Sequence, residues 1–167
     1  MTTSAGAVVW LTGLPASGKS TLALAVRDRL HGNAVMLDSD ALREVLGATG
    51  YGPADRDAFY TVLGRLATLL ADQGHVVLVA ATAPRRAYRD ALRTTAAWFL
   101  EVHVAASRAV CEGRDAKGLY ERARAGQAPT LPGVGDDYEP PLHPDVVATG
   151  GHDHVAVATI VALIQAR

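Results

Sequence analysis

Gly13-Leu-Pro-Ala-Ser-Gly18-Lys19-Ser20 has the spacing of a phosphate-binding loop, and it lies between an apolar run and a stretch of helical periodicity, where such a loop works. The glycines let successive backbone amides turn toward an anion, and a following helix N-terminus adds positive potential. Gly13, Ala16, Ser17, Gly18, Lys19, Ser20 and Thr21 are therefore the candidate contacts for the phosphates of ATP. Lys19 would reach the transferring phosphoryl group and Ser20 would ligate Mg2+. Asp38-Ser39-Asp40 then places two carboxylates within three residues. One can complete the magnesium shell, which falls to Asp38, and the other can take a proton from an attacking hydroxyl, which falls to Asp40. The competing reading of either aspartate is a helix N-cap. Arg43, three residues beyond Asp40, could bind an anionic acceptor or simply pair with that aspartate at the surface. Arg56 is a second anion ligand by type, whereas in the run Arg85, Arg86, Arg89, Arg93 the positions 85, 89 and 93 share one helix face and read mainly as a solvated basic stripe.

These residues need a scaffold, and the hydrophobic pattern supplies one. Apolar runs at 7–12, 34–37, 75–81, 98–104 and 145–148 predict strands, with Trp10 and Trp98 among them as core residues. Helical spacing covers 19–30, 40–46, 55–71, 84–97 and 154–165, and Ser107 and Val110 open a further helix. Strands that are apolar throughout and alternate with helices predict an α/β fold of the P-loop NTPase type, a parallel sheet sandwiched between helices. Ligands in such sheets bind beyond the C-terminal strand ends, so the loops at 13–20, 38–43 and 81–86 should converge. A single domain over 1–167 is expected, with 1–6 a loose start and 115–144 a lid, whose 126–144 portion is rich in Gly, Pro and Asp.

Composition narrows the function. The chain has 167 residues, with 16 basic against 17 acidic side chains and a formal net charge of -1, which speaks against nucleic acid as a partner held through its phosphates. Its apolar runs are too short to span a membrane. The absence of a basic, apolar leader and the single cysteine, Cys111, suggest a cytoplasmic protein. Fourteen of the basic residues are arginine, so the two lysines, Lys19 and Lys117, draw a functional question. Cys111 reads as a small buried residue, and His152 and His154 as loop residues before the last helix rather than metal ligands.

The motifs together resemble the adenylylsulfate kinase family. The similarity runs from about residue 7 to 148 and is carried by Gly13 to Thr21, Asp38-Ser-Asp40-Ala-Leu-Arg43, Gly50-Tyr51 with Asp55-Arg56, Pro84 with its arginines, Phe99 to Val104, and above all Cys111 to Gly126. The resemblance implies transfer of the γ-phosphoryl group of MgATP to the 3′-hydroxyl of adenosine 5′-phosphosulfate. It implies that Asp40 activates the hydroxyl, that Arg43 and Arg56 hold the phosphosulfate end, and that Tyr51 stacks on the acceptor's adenine. Arg114 would lie near the ATP base, and Ala83, Pro84, Lys117, Gly118, Leu119 and Leu131 would border the acceptor, the last four from the lid. It also implies pairing into a homodimer.

The departures from the family pattern fall on the acceptor side. Ser39 and Ala41 replace a Gly and an Asn, and Ala58, Phe59, Tyr60, Thr61 and Val62 stand where a Glu-Asn pair and two arginines are usual. Ala81-Thr82-Ala83-Pro84 stands in place of Phe-Ile-Ser-Pro, and Leu131 takes the place of a lid phenylalanine. Lost stacking and hydrogen bonds of this kind are worth about 1 to 3 kcal/mol each. Either Phe59 and Tyr60 rebuild the pocket, or they are core and the acceptor is another alcohol, a nucleoside, sugar or specialised metabolite. A nucleotide-dependent regulatory protein is the third reading, against which the two carboxylates argue.

Overall fold

The computed structural model describes residues 6–167. Of the expected loose start at 1–6, residues 1–5 lie outside them, and Gly6 is packed rather than loose, so close to the carbonyls of Ala71 and His75 that a side chain there would collide. Five strands, β1 (Ala7–Thr12), β2 (Ala34–Asp38), β3 (Val76–Ala80), β4 (Phe99–Val104) and β5 (Val146–Ala148), form one parallel sheet in the order β2-β3-β1-β4-β5. Seven helices accompany them among the described residues: α1 (Lys19–Leu30), α2 (Ser39–Leu46), α3 (Pro53–Asp72), α4 (Arg86–Thr95), α5 (Arg108–Gly113), α6 (Leu119–Arg124) and α7 (His154–Gln165).

The two-residue period of a strand explains the two cores. On β1, Val9 and Leu11 point to the layer of α1 and α7, with Leu22, Val26, Val157 and Ile160 opposite. Val8 and Trp10 point the other way, to the layer of α3 and α4, with Leu63, Ala67 and Leu92. A strand covered on both faces must be apolar at every position, and β1 and β3 are fully buried. The edge strand β2 is only half-buried, because it has one neighbour. Trp98 precedes β4 and is partly buried against the first core, rather than lying within the strand as its sequence context suggested.

The helix starts place the chemistry. The α3 helix begins two residues earlier than its periodicity indicated, because Pro53 occupies its first turn and the Asp55 carboxylate accepts the Gly52 N–H at 3.2 Å. In α2 the cap is Asp38, which accepts the N–H groups of Asp40 at 2.9 Å and Ala41 at 3.4 Å. Asp40 therefore sits within the first turn instead of opening the helix. The 126–144 segment holds no helix or strand and is closed on itself by a bridge between Pro132 and Asp136.

The expectation of a solvated arginine stripe on α4 is overturned. Arg89 is fully buried: it donates to Glu101 Oε1 at 2.8 Å, to the Glu139 carbonyl at 2.6 Å and to the Ala83 carbonyl. Arg93 is half-exposed and also donates to Glu101, while the backbone N–H of Arg86 donates to Glu139. A buried guanidinium is tolerated here because a carboxylate and two carbonyls replace its water.

Candidate active site

The loops at the C-terminal ends of β1, β2 and β3 meet as their sequence positions implied. In the phosphate loop Ala16 takes a left-handed φ of 62°, where an alanine is disfavoured, and Gly18 takes φ 101° immediately before α1. Gly18 faces Gly151: a side chain at 18 would come within 2.4 Å of the Gly151 N. Gly150 and Gly151 thus close the back of the loop, and Thr21 packs on Gly151. Sequence reasoning did not assign these two glycines to the site, although their adjacency was visible. Arg114 is exposed, with its guanidinium beside Gly150 and so on the same side as the loop.

Lys19 folds over the loop, donating to the carbonyls of Gly13 at 3.0 Å and Leu14 at 2.8 Å. Burial pushes its ammonium down to about 8, against the attraction of Asp40, Cys111 and Asp38. Ser17 Oγ is buried without a hydrogen-bond partner, a polar atom left facing the loop interior. Ser20 Oγ donates to Asp38 Oδ2, while Oδ1 of the same carboxylate caps α2. The N-cap reading of Asp38 therefore holds through Oδ1, while Oδ2 is turned to Ser20 of the loop. Oxygen donors of this kind suit Mg2+, which commonly takes one or two protein ligands and completes its shell with phosphates and water. Among the described residues no cluster of three His, Cys, Asp or Glu could hold a metal alone.

Beside this donor loop lies a second set of groups. Asp40 is exposed, and its Oδ2 accepts from Lys117 Nζ at 2.5 Å across the lid. That hydrogen bond raises the Lys117 ammonium and keeps it charged. Arg43 does not pair with Asp40. It is buried, donates to the carbonyls of Ala48 at 3.2 Å and Gly50 at 3.0 Å, and lies between two rings, 4.4 Å from the centroid of exposed Tyr51 and 3.9 Å from that of Phe59. Arg56, also buried, reaches the lid, where it pairs with Asp136 and donates to the Thr130 carbonyl. Asp136 and Thr130 are lid partners that the sequence did not single out, because their contact spans about eighty residues. Ala83 takes φ 41° and has its N–H on the Tyr60 hydroxyl, and the Pro84 carbonyl accepts from Glu139 N–H at 2.8 Å.

The lid has a small core of its own. Ala106, Cys111, Tyr120 and Leu131 are buried together, with Leu14 and Ala16 of the phosphate loop and Leu119 packed against them. The Tyr120 hydroxyl donates to the Pro15 carbonyl at 2.9 Å. Leu119 and Leu131, assigned to the acceptor side, are thus committed to a cluster that touches the donor loop, and Gly118 turns the chain into α6 with φ 63°. Cys111 is buried there, its thiol pushed up by burial, as befits a packing residue. Of the aromatic pair, Phe59 and Tyr60 are both in the second core, yet Phe59 also carries Arg43 on its face.

The described arrangement matches known proteins closely. The family described as Adenylylsulphate kinase matches residues 5–149. The adenylyl-sulfate kinases of Rippkaea orientalis and Paraburkholderia xenovorans are each 43% identical to the chain, over 145 and 152 residues, spanning 84% and 88% of it and 80% and 85% of their own lengths. The APS kinase CysC of Mycobacterium tuberculosis, solved in complex with AMPPNP and APS, superposes with a TM-score of 0.89 at 37% identity, covering 96% of this chain and 98% of that one. A gluconokinase from Sinorhizobium meliloti, at 21% identity and TM-score 0.60 over 97% and 90% of the two chains, shares the fold alone.

Proposed function

Because the chain belongs to the adenylylsulfate kinase family, we infer that it transfers the γ-phosphoryl group of MgATP to the 3′-hydroxyl of adenosine 5′-phosphosulfate, giving ADP and the 3′-phosphorylated product. The observation that carries this reading is the hydrogen bond from Ser20 of the phosphate loop to Asp38, which brings the donor-side loop against the turn bearing Asp40. A triphosphate and an alcohol can then meet in one cleft.

In this proposal Asp40 takes the proton of the acceptor hydroxyl as its oxygen bonds to the γ-phosphorus, and the bond to the β,γ-bridging oxygen breaks, its electrons leaving with ADP. Lys117 holds Oδ2 of Asp40 and so leaves Oδ1 for the hydroxyl. Lys19 and the loop amides neutralise charge on the phosphates. Ser20 and Asp38 would hold Mg2+, which would offset the negative charge of the phosphates. Arg56 and Arg43 receive the phosphosulfate end, and Tyr51 borders the adenine. The lid, fastened through Lys117, Arg56 and Tyr120, keeps out water that would compete with the alcohol. Cytosolic residence and homodimer formation belong to the same proposal, supported by the single buried thiol and by family membership respectively, and testable by fractionation and sedimentation.

ADP release with MgATP should be fastest with adenosine 5′-phosphosulfate among a panel that includes nucleosides and sugars. Faster turnover of any other alcohol overturns the assignment. Asp40→Asn should bind ATP normally and lose more than about a hundredfold in turnover, and Lys19→Ala should lose turnover with every acceptor.

A further inference from the structure

Tyr60 is a residue whose hydroxyl needs an explanation. Its ring is well explained as packing: it stacks on Tyr88 at 4.6 Å and 27°, meets Phe59 edge-on at 5.3 Å, and is 8% exposed. A phenylalanine would serve that role equally, and without a polar atom to satisfy. The hydroxyl oxygen accepts the Ala83 N–H at 3.2 Å. The positive charges of Arg43 and Arg56 both act on the phenol. These neighbours are donors or cations, so they use the oxygen's lone pairs and leave its proton for an acceptor of hydrogen bonds. Burial raises the phenol, so it remains protonated, a donor, at neutral pH.

Arg43, Tyr60 and Arg56 are each less than a tenth exposed; Arg56 and Tyr60 share one face of α3 at i,i+4 spacing, and Arg43 lies over the ring of the neighbouring Phe59. Two buried cations and a donor hydroxyl grouped in this way fit an oxyanion. We propose that Tyr60 is a specificity-determining residue that donates its phenolic proton to an anionic oxygen of the acceptor's phosphosulfate group, as the third leg of a clamp with Arg43 and Arg56. This rests on the kinase reading given above and adds a residue to it. It also gives the aromatic pair separate tasks: Phe59 supports Arg43 through its ring face, and Tyr60 works through its oxygen.

The test is Tyr60→Phe, which keeps the ring and removes one oxygen. KM for adenosine 5′-phosphosulfate should rise about tenfold to a hundredfold, the worth of a hydrogen bond to a charged group, while KM for ATP and the melting temperature stay near their original values. Ala83→Ser in the Tyr60→Phe background returns a hydroxyl beside the same amide and should recover part of the lost affinity. An unchanged acceptor KM in a folded Tyr60→Phe overturns the proposal, as does an equal rise in both KM values, the mark of general distortion. If Tyr60→Phe does not fold, Ala83→Ser in the otherwise unaltered chain is the deciding measurement: acceptor KM must fall, and a rise or no change overturns the clamp. An unaltered enzyme that is inert with adenosine 5′-phosphosulfate overturns the parent reading, whereas an active one with indifferent variants overturns only the role of Tyr60.

Discussion

Lys19 is a single residue whose environment sets a measurable quantity. Its ammonium is charged below about 8 and neutral above it, since burial outweighs the pull of the neighbouring carboxylates. In the proposed role of Lys19, the free enzyme would lose its cationic grip on the phosphates as pH rises through that value. The expected outcome is a fall in kcat/KM for ATP above about pH 8, because that ratio reports groups in the free enzyme. Lys19→Arg should move the fall to higher pH in whatever activity it retains, as a guanidinium keeps its charge. A flat profile from pH 7 to 9.5 in the unaltered enzyme would remove Lys19 from the role. The place of Lys19 in the phosphate loop was legible in the sequence through the loop spacing, but its depressed ammonium was not, because burial is a property of the folded loop.

Among the elements, the lid ties the two halves of the site together. Asp115 caps α6 by accepting the N–H groups of Leu119 at 2.9 Å and Tyr120 at 2.8 Å, and Tyr120 then fastens the helix to the phosphate loop. The far end of the lid is held by Arg56 on Asp136 and Thr130. Asp136→Asn should leave the fold intact, with a melting temperature within about 2 °C, as expected for a partly exposed carboxylate. It should raise the acceptor KM by about threefold to tenfold, a loss of about 0.7 to 1.4 kcal/mol in holding Arg56. An unchanged or lowered KM would mean that Asp136 does not position Arg56 for the acceptor. The sequence indicated the lid through its Gly and Pro content but missed α6, because six residues between Gly118 and Gly126 give too little periodicity to recognise.

At the scale of the whole molecule, the buried Arg89–Glu101 pair connects α4, β4, the Ala83 turn and the end of the lid. Arg89→Ala leaves Glu101 with only Arg93, so it should cost about 3 kcal/mol and lower the melting temperature by about 6 to 12 °C in a thermal melt. A loss under about 2 °C would return Arg89 to the solvated stripe its spacing suggests. The order of elements, the doubly covered sheet and the phosphate loop could all be read from the chain, since they depend on local spacing: period two or 3.6 in the apolar residues, and glycines at fixed offsets before a lysine. Which charged and polar side chains meet was decided only by folding. Arg89 finds Glu101, Arg56 finds Asp136, and Tyr60 finds Ala83, across 12, 80 and 23 residues of sequence. An arginine's type does not say whether water or a carboxylate will surround it, and only the packing of α3, α4 and the lid over the strand ends settles that choice.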